Sequence, residues 1–512
     1  MIPVEHFPVL IIAISALSAF TIFLVGWINK KACFFMSLAT IAFQFILSIF
    51  ILRHVMTVGT IHYWMGGWRP PWGIEYVVDS LNAFILIVIL FLSLLVAIYS
   101  KRNVEHEIEE KKLVTFYTLF QLLITGLCGI TVTGDLFNMY VLLEVCSLAA
   151  YALIASAGGR ALKASYNYLI MGSLGACFYL LGVGFLYSVT GTLNMGDMKL
   201  LLPPLYANRA VQAAFVFFIV GISIKAYVFP LHTWQPDAYT YAPSSVSALI
   251  ASTMSKVMIY ALIRLIYSVF TLNFILSYIG LDLVICWVAA MAIIAGSIFA
   301  ITQHNLKRML AYSSIAQIGY ILLGVGLSPI SVWGLFGAVA HILNHAVMKG
   351  CMFLAAGAFI HKAGLWDIRD FEGLGRKMPY ASAAFTIAAI SMIGIPPGAG
   401  FASKLFLILA SLEASQYSFV AILLLSTLLN LVYFWRVIDR MYFVRHEHEH
   451  EAVETDGGEK EKEHELPLSM IVPMLILATL CIIAGIFWLT ELPLPLFYKI
   501  LSDLGVGVGV TP

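Results

Sequence analysis

Charged residues are scarce in this sequence. They make up only 11% of its 512 residues, whereas 61% are hydrophobic. An average soluble domain has about 25% charged residues, so this balance excludes a soluble fold and predicts a polytopic protein of the lipid bilayer. The formal net charge of +1 leaves no basic surface for nucleic acid, and we expect no nucleic-acid partner.

Paired cysteines are also absent. The seven cysteines fall in apolar stretches, and none forms a C-x-x-C pair. Disulfide frameworks and metal clusters need paired or clustered thiols, so these cysteines are interpreted as small buried hydrophobic residues. We expect no redox centre, metal or other cofactor in this chain. The first ten residues lack the basic segment and cleavage site of a signal peptide.

Long apolar runs are abundant. A membrane helix needs about 20 mostly apolar residues, and runs such as 81–99 do not alternate as barrel strands would. Because lipid satisfies no backbone hydrogen bonds, the runs are predicted to be helices, which makes the fold class all-α. Fourteen spans are predicted, at residues 7–27, 33–52, 78–100, 113–132, 135–156, 164–190, 210–229, 242–269, 278–301, 306–327, 331–360, 380–410, 417–440 and 468–490.

Lysine and arginine are distributed unevenly between the loops. Loops that follow odd-numbered spans hold eighteen of them, and the remaining loops and tails hold five. Since basic loops stay in the cytoplasm, the odd-to-even loops are predicted to be cytoplasmic. Both termini are then predicted to lie outside.

Two of the predicted spans are interrupted by helix-breaking residues. Span 7 breaks at Lys225–Pro230, and span 12 breaks at Gly394–Lys404. Such breaks survive at membrane depth only inside protein or beside water. They lie five spans apart, which predicts two inverted five-helix repeats of the kind that many ion-coupled transporters contain.

The predicted organisation follows from these repeats. Spans 1–3 form an N-terminal unit, spans 4–8 the first repeat and spans 9–13 the second, followed by a charged cytoplasmic loop and span 14 with its tail. Within the loop, His446–Glu465 alternates histidine and acid, which is interpreted as a solvated segment or as a weak metal site. The five predicted regions, in chain order, are residues 1–112, 113–269, 278–440, 441–467 and 468–512.

A glutamate and two lysines lie within the first repeat at membrane depth. Charge there costs several kcal/mol, so Glu144, Lys225 and Lys256 are functional candidates. Desolvation favours the neutral amine of Lys225, and a nearby Glu144 carboxylate would favour the ammonium, so a movable pair could bind and release a proton. A static ion pair is the alternative for Glu144 and Lys225. For Lys256 the alternative is a side chain that reaches to the interface.

The second repeat carries a matching set. His341, His345 and Lys349 are spaced i, i+4 and i+8, so they share one face of span 11. Histidine titrates near neutral pH and suits proton relay, whereas a zinc pair or hydrogen-bonded core histidines are the alternatives. Lys404 follows the break of span 12.

Four further residues are secondary candidates for the same path. Asp79 begins span 3, His232 and Asp237 follow the first break, and Lys307 begins span 10. Lys307 could equally be an ordinary cytoplasmic anchor. Asp135, at the start of span 5, is interpreted as a helix N-cap instead.

Together these residues lie in segments that resemble a known family. The chain resembles the antiporter-type subunits shared by Mrp sodium/proton antiporters, energy-converting membrane-bound hydrogenases and respiratory complex I, over about residues 75–440. Within that superfamily it is most similar to the Mrp D-type and hydrogenase H-type subunits. The segments that carry the resemblance are Gly134–Leu153, Lys225–Leu249, Leu306–Tyr320, His341–Gly357 and Gly394–Lys404.

The resemblance implies a fourteen-helix core with inverted repeats in the cell membrane of a prokaryote, with other membrane subunits as partners. It implies that Glu144 and Lys225 form the family's glutamate–lysine pair. Lys256 matches its central lysine, His345 the histidine of span 11, and Lys404 the terminal basic residue of span 12.

The working hypothesis is a proton-translocating subunit of a multisubunit energy-converting complex. One alternative is an Mrp-type sodium/proton antiporter subunit without a redox driver. The five residues Glu144, Lys225, Lys256, His345 and Lys404 are called the row below. Sodium prefers oxygen ligands, whereas the row is mostly lysine and histidine, so sodium is assigned to partner subunits. A passive membrane scaffold is a further alternative, although it gains nothing from buried charge.

Overall fold

The computed structural model describes residues 3–280, 282–444 and 466–506. The histidine-rich and acidic insert at 446–465, for which a solvated loop or a weak metal site is predicted, lies outside these described residues.

Most of the predicted spans are single continuous helices. Within the described ranges, twelve helical stretches are long and apolar enough to cross a membrane. Several begin at an Asn or Asp that caps the first turn; Asp135 accepts the backbone N–H of Asn138 at 2.7 Å, as the N-cap prediction requires. The single helices are Phe7–Gly26, Lys30–Thr57, Ser80–Glu107, Leu113–Val132, Leu136–Ala155, Arg160–Thr190, Asp282–Ile301, Leu306–Leu327, Val332–Ala363, Tyr417–Tyr442 and Leu468–Trp488.

At each predicted interruption the structure has two shorter helices. In span 7 the helix Arg209–Lys225 ends at the predicted break, and the short helix Gln235–Tyr241 follows beyond the predicted end of the span at residue 229. Span 12 consists of Pro379–Ile393 and Ala399–Glu413. The helical membrane fold is therefore as predicted. The total of fourteen spans and the side on which each terminus lies stay predictions, as does the division into five regions.

Span 8 is continuous but irregular. Its α-helical parts, Ser244–Leu249, Ser255–Arg264 and Thr271–Phe274, alternate with π-helical stretches at Ile250–Met254, Leu265–Phe270 and Ile275–Ile279. A π-helical stretch changes the pairing of backbone carbonyls and often marks a functional site. The first of these stretches ends two residues before Lys256.

A β-hairpin joins spans 2 and 3, which the all-α prediction did not include. Strands β1 (Ile61–Trp64) and β2 (Glu75–Val78) pair antiparallel, with Ile61 opposite Val78. Each strand is only four residues long, which is too short for a hydropathy-based interpretation to detect. Short helices cover the same end of the molecule, namely Met195–Leu201 and Leu494–Leu504, and Leu374–Lys377 lies before span 12.

Spans 10 and 11 form the centre of the bundle. Of their most apolar stretches, 94% is buried, against 33% for spans 1, 2 and 13. Span 11 contacts spans 3, 8, 10, 12 and 14. Its polar side chains therefore point into protein.

Four helix contacts of the first predicted repeat have a counterpart in the second. Span 4 packs on span 5 as span 9 packs on span 10, and the same holds for the next two consecutive pairs. Span 4 also meets span 8 as span 9 meets span 13. This packing agrees with an internal repeat of five spans.

Candidate functional site

The first charged pair lies where span 7 breaks. Lys225 is the last residue of its first helix, is 1% exposed, and donates to Glu144 Oε1 at 3.1 Å and Ser147 Oγ at 2.7 Å. The indole N–H of Trp234, from beyond the break, donates to the carbonyl of Ile224 at 2.9 Å. The structure thus brings together the predicted pair, and the break supplies a partner for a freed carbonyl.

Lys256 lies deeper in the molecule, in span 8. Its ammonium donates to the carbonyl of Ala251, within the first π-helical stretch, at 2.5 Å and to Ser255 Oγ at 3.3 Å. It is 1% exposed, which excludes a side chain that reaches to the interface. Within the described residues no ion pair includes Lys256.

Span 11 places two histidines and a lysine on one buried face. His341 is hydrogen-bonded to Ser403 Oγ through Nδ1 at 2.8 Å and to Gln317 Oε1 through Nε2 at 2.9 Å. The ring centroids of His341 and His345 are 6.0 Å apart. Neither ring nitrogen of His345 has a hydrogen-bond partner among the described residues.

Lys349, one turn beyond His345, is held from span 10. Its ammonium donates to the carbonyl of Leu310 at 2.7 Å and to the hydroxyl of Ser313. Both acceptors are neutral, so this lysine, like Lys256, is bound by dipoles rather than by a carboxylate.

Lys404 lies beside the break of span 12. Its ammonium donates to the carbonyls of Met392 at 3.1 Å and Ile393 at 2.9 Å. The amide of Asn430, oriented with its oxygen toward the lysine, accepts at 3.1 Å. The ring of Tyr320 lies 5.0 Å from Nζ, within cation–π distance. Both broken spans therefore hold a buried lysine at the break.

Two secondary candidates belong to the end of the molecule where span 8 begins. Lys307 donates to the carbonyl of Ala242 at 2.6 Å and is 1% exposed, which a surface anchor would not be. Asp237 pairs with Arg308 at 3.3 Å, with about a third of each side chain exposed. Asp237 is therefore at the rim rather than in the buried row.

His232 packs within the broken part of span 7. Its ring stacks on Phe229 with centroids 5.2 Å apart, and its Nδ1 has no hydrogen-bond partner within the part of the chain that the structure describes. The residue is 8% exposed. It is near the break but makes no contact, within those ranges, that joins it to the row.

Asp79 lies at the opposite end, away from the row. Its Oδ1 caps the helix of span 3 at Leu81 N (3.0 Å) and Asn82 N (3.2 Å), and it forms an ion pair with Arg264. Beside it, Glu75 accepts from Asn194 Nδ2 at 2.8 Å and lies 2.9 Å from His62 Nδ1.

In the β-hairpin, Glu75 and His62 stabilise each other's charged form. Burial raises the pKa of Glu75, but hydrogen bonds from His62 and Asn194 lower it by more, so that its pKa ends below the usual value. The hydrogen bond to Glu75 raises the pKa of His62. The two groups therefore keep opposite charges over a wider pH range than either would alone.

Several polar residues of the row were not predicted from the sequence. Ser147, Gln317, Ser403 and Asn430 are all fully buried and hydrogen-bond the predicted groups. Their signal was available, because an amide or hydroxyl in an apolar span needs a partner. Arg264 of span 8 was also not predicted as a site residue.

The fold and this site define a class, namely polytopic membrane subunits with two broken helices and a buried row of cations. Residues 133–430 match the family described as NADH:quinone oxidoreductase/Mrp antiporter, transmembrane region. This chain belongs to that family, and it is an antiporter-like membrane subunit of the kind found in multisubunit energy-converting complexes.

Curated relatives carry two kinds of name. The chain is 44% identical over 431 residues to NADH-quinone oxidoreductase subunit N of Desulforudis audaxviator (strain MP104C), covering 83% of this chain and 84% of that one. It is 32% identical over 397 residues to the D-type subunit of a Na(+)/H(+) antiporter from Bacillus subtilis (strain 168), covering 77% and 78%.

Two solved structures superimpose on nearly the whole length of this chain. A chain of the membrane-bound sulfane sulfur reductase, an archaeal respiratory membrane complex, superimposes with a TM-score of 0.87 at 31% identity, covering 98% of both chains. A chain of the Mrp complex from Dietzia sp. DQ12-45-1b gives 0.87 at 24% identity, covering 99% of both, which supports the fold. The family resemblance expected from the sequence is therefore confirmed.

Proposed function

We propose that this chain moves protons across the cell membrane of a prokaryote, within a multisubunit redox complex. The path would run through Glu144, Lys225, Lys256, His345 and Lys404. The observation that carries the proposal is a set of buried lysines whose acceptors are mainly neutral. Lys256, Lys349 and Lys404 are held by backbone carbonyls and polar side chains.

Neutral acceptors suit a lysine that must exchange a proton. A carboxylate at hydrogen-bond distance would hold the ammonium form, whereas carbonyl dipoles in low dielectric hold it less strongly. The carbonyl of Ala251 lies in a π-helical stretch, and that of Leu310 lies in span 10. The carbonyls of Met392 and Ile393 end the first helix of span 12. The backbone thus supplies acceptors without supplying countercharge.

Some buried polar atoms along the row need water as their hydrogen-bond partner. Both ring nitrogens of His345 and Nε2 of Gln317 are buried without a partner in the described parts of the chain. Buried polar groups in proteins are almost always hydrogen-bonded, to ordered water where protein offers nothing. Water at these atoms would connect Lys349, His345 and His341 as a proton relay.

The driver would act on the pair of Glu144 and Lys225. The lysine is fully enclosed, but the Glu144 side chain is 24% exposed on the side of the subunit, beside the exposed Val141 and Leu148. A carboxylate at that depth is best covered by another membrane subunit. Moving such a neighbour would change the pairing of Lys225.

The energies are of matching size. Moving one charge across 100 mV requires about 2.3 kcal/mol. Making or breaking a desolvated pair shifts a pKa by a few units, each worth about 1.4 kcal/mol. The free energy of making or breaking this one pair is therefore large enough to move a proton across such a potential.

The identity of the complex separates this proposal from its main alternative. One relative is a Na(+)/H(+) antiporter subunit, so an Mrp-type assembly without a redox driver is the second candidate. Purifying the native complex would decide: redox subunits, including hydrogenase-like ones, support the first proposal, and membrane subunits alone support the second.

Substitution of the pair tests the mechanism. In inside-out vesicles that carry the intact complex, Glu144→Gln and Lys225→Met should each reduce driven ΔpH formation about tenfold, equivalent to roughly 1.4 kcal/mol of lost coupling. Glu110→Gln is the matched control, since that carboxylate pairs with Lys30 on the surface and its side chain is 80% exposed. Normal ΔpH formation in the first two variants would support a passive scaffold and contradict the proposal.

A further inference from the structure

A polar cavity of about 280 Å³ lies at the end of the molecule formed by the β-hairpin, the helix Met195–Leu201 and the C-terminal helix. Its lining includes Glu75, Asp79, Arg264 and Asp503. This is the end at which span 8 finishes, opposite the Ala242–Ser244 turn where it begins. The cavity therefore opens toward the side that the loop charges predict to be outside.

One face of span 8 leads from the buried row to this cavity. Lys256, Tyr260 and Arg264 are spaced i, i+4 and i+8 in the α-helical part of the span, so they share a face. Eight residues of helix rise about 12 Å. The Cα atoms of Lys256 and of Arg264, which lines the cavity, are therefore about 12 Å apart along the helix axis.

Arg264 lies at the end of this face that lines the cavity. It is 7% exposed. Its Nε donates to Tyr260 Oη at 3.1 Å, its Nη1 donates to Ser268 Oγ at 3.2 Å, and it pairs with Asp79. Tyr260 is fixed in turn, because its hydroxyl donates to the carbonyl of Thr131 at 2.8 Å. The guanidinium is therefore held from spans 3, 4 and 8 together.

Arginine differs from the lysines of the row in chemistry. The guanidinium stays protonated in proteins and cannot hand a proton on, whereas lysine and histidine can. A fixed positive group that lines a pore also repels protons and other cations. The residue nearest the outer mouth is thus the one cation of this face that cannot act as a relay.

We propose that Arg264, anchored by Asp79, is an electrostatic barrier that closes the outer end of the first repeat. This inference rests on the proposed function. The barrier keeps a proton loaded on Lys256 from escaping directly to the outside. The proton must instead pass sideways to span 11 and Lys404. Arg264 is then a positioning residue that sets the route and does not carry the proton.

Passive leakage tests this barrier without any driver. Vesicles that carry the intact complex are given a potassium diffusion potential with valinomycin, and proton entry is followed with a pH-sensitive dye. Arg264→Met should raise the leak rate severalfold above wild type, whereas Arg264→Lys, which keeps a charge, should raise it less. Arg369→Met is the control, since that arginine pairs with Asp367 and its side chain is 66% exposed.

A double variant separates the barrier from the proposed function. If the leak runs through the row, Arg264→Met combined with Lys256→Met should return it to the wild-type rate. A leak that persists in the double variant supports the barrier but contradicts the role of Lys256. An Arg264→Met complex that assembles and leaks protons no faster than wild type overturns the barrier.

Asp79→Asn gives a second test should Arg264→Met fail to assemble. Asparagine still caps span 3, because it is as good an N-cap as aspartate, but it removes the charge that anchors the guanidinium. The leak rate should rise, by less than in Arg264→Met. An Asp79→Asn complex that leaks no faster than wild type overturns the anchored barrier, and one that also loses driven transport places the Asp79 carboxylate on an exit path instead.

Discussion

At the scale of residues, backbone carbonyls are the main partners of the buried lysines. Lys404 is bound by two carbonyls at the end of a helix, and Lys256 by one within a π-helical stretch. Only Lys225, of the predicted buried lysines, has a carboxylate partner in the described ranges. Lys225 is therefore the member whose charge depends most directly on another side chain.

The neutral amide of Asn344 joins helices of the same region through partners that are not among the predicted site residues. Asn344 donates to the carbonyl of Ala399 at 2.7 Å and accepts from Trp488 Nε1 at 2.9 Å. It therefore ties span 11 to the second half of span 12 and to span 14. Both of its partners are at buried positions in the core.

Asn344→Leu should destabilise the protein by roughly 2 kcal/mol, because it leaves a buried carbonyl and a buried indole N–H unpaired. Denaturant unfolding in detergent would measure the loss. Thr479→Val is the control, since that exposed hydroxyl bonds only to its own helix, at the carbonyl of Leu475. Equal stability of the two variants would show that the partners of Asn344 are satisfied by water once the amide is lost.

At the scale of elements, the second break depends on close packing against span 14. A Cβ added at Gly485 would lie 2.0 Å from the carbonyl oxygen of Pro397 and 2.6 Å from the carbonyl carbon of Gly398. Backbone atoms cannot move aside as the end of a flexible side chain can. Span 14 therefore supports the loop that positions Lys404.

Gly485→Ala should lower the thermal unfolding temperature and reduce driven ΔpH formation, because span 14 must move away from the break. The matched control is Gly184→Ala, also in a helix, where an added Cβ meets nothing within 4 Å. That change should be neutral or stabilising by up to about 1 kcal/mol through helix propensity. Similar unfolding temperatures for both variants would contradict the packing argument.

At the scale of the whole molecule, the two predicted repeats share one continuous buried region. Span 11 lies at its centre and contacts both span 8 of the first repeat and spans 10 and 12 of the second. A proton that reached Lys256 would thus be beside the histidines of span 11. The central position of this helix would let it join the part of the proposed proton path in the first predicted repeat to the part in the second.

The predicted orientation can be measured directly. Ala157→Cys lies in the loop between spans 5 and 6, predicted to be cytoplasmic, and Ala207→Cys lies before span 7, on the predicted outer side; both positions are exposed. In intact cells, a membrane-impermeant maleimide should label only Ala207→Cys, with the parent protein as background. Labelling of Ala157→Cys before permeabilisation would reverse the predicted topology and the direction of the proposed barrier.

Much of the fold and part of the site could be predicted from the sequence. Hydropathy located the helices, and proline and glycine located the two breaks, because the membrane allows few backbone structures. The pairing of Glu144 with Lys225 was also predicted, since a buried charge needs a partner. The β-hairpin was missed because its strands are only four residues long.

The sequence by itself determined which groups are costly at membrane depth, because composition and spacing place each lysine and histidine within a span. Only the tertiary structure decided what each group contacts. Lys256 and Lys404 differ from Lys225 in having carbonyl partners, and Arg264 reaches Asp79 from a distant part of the chain. Those contacts depend on how helices pack and where their backbones are irregular, which the local pattern of residues does not specify.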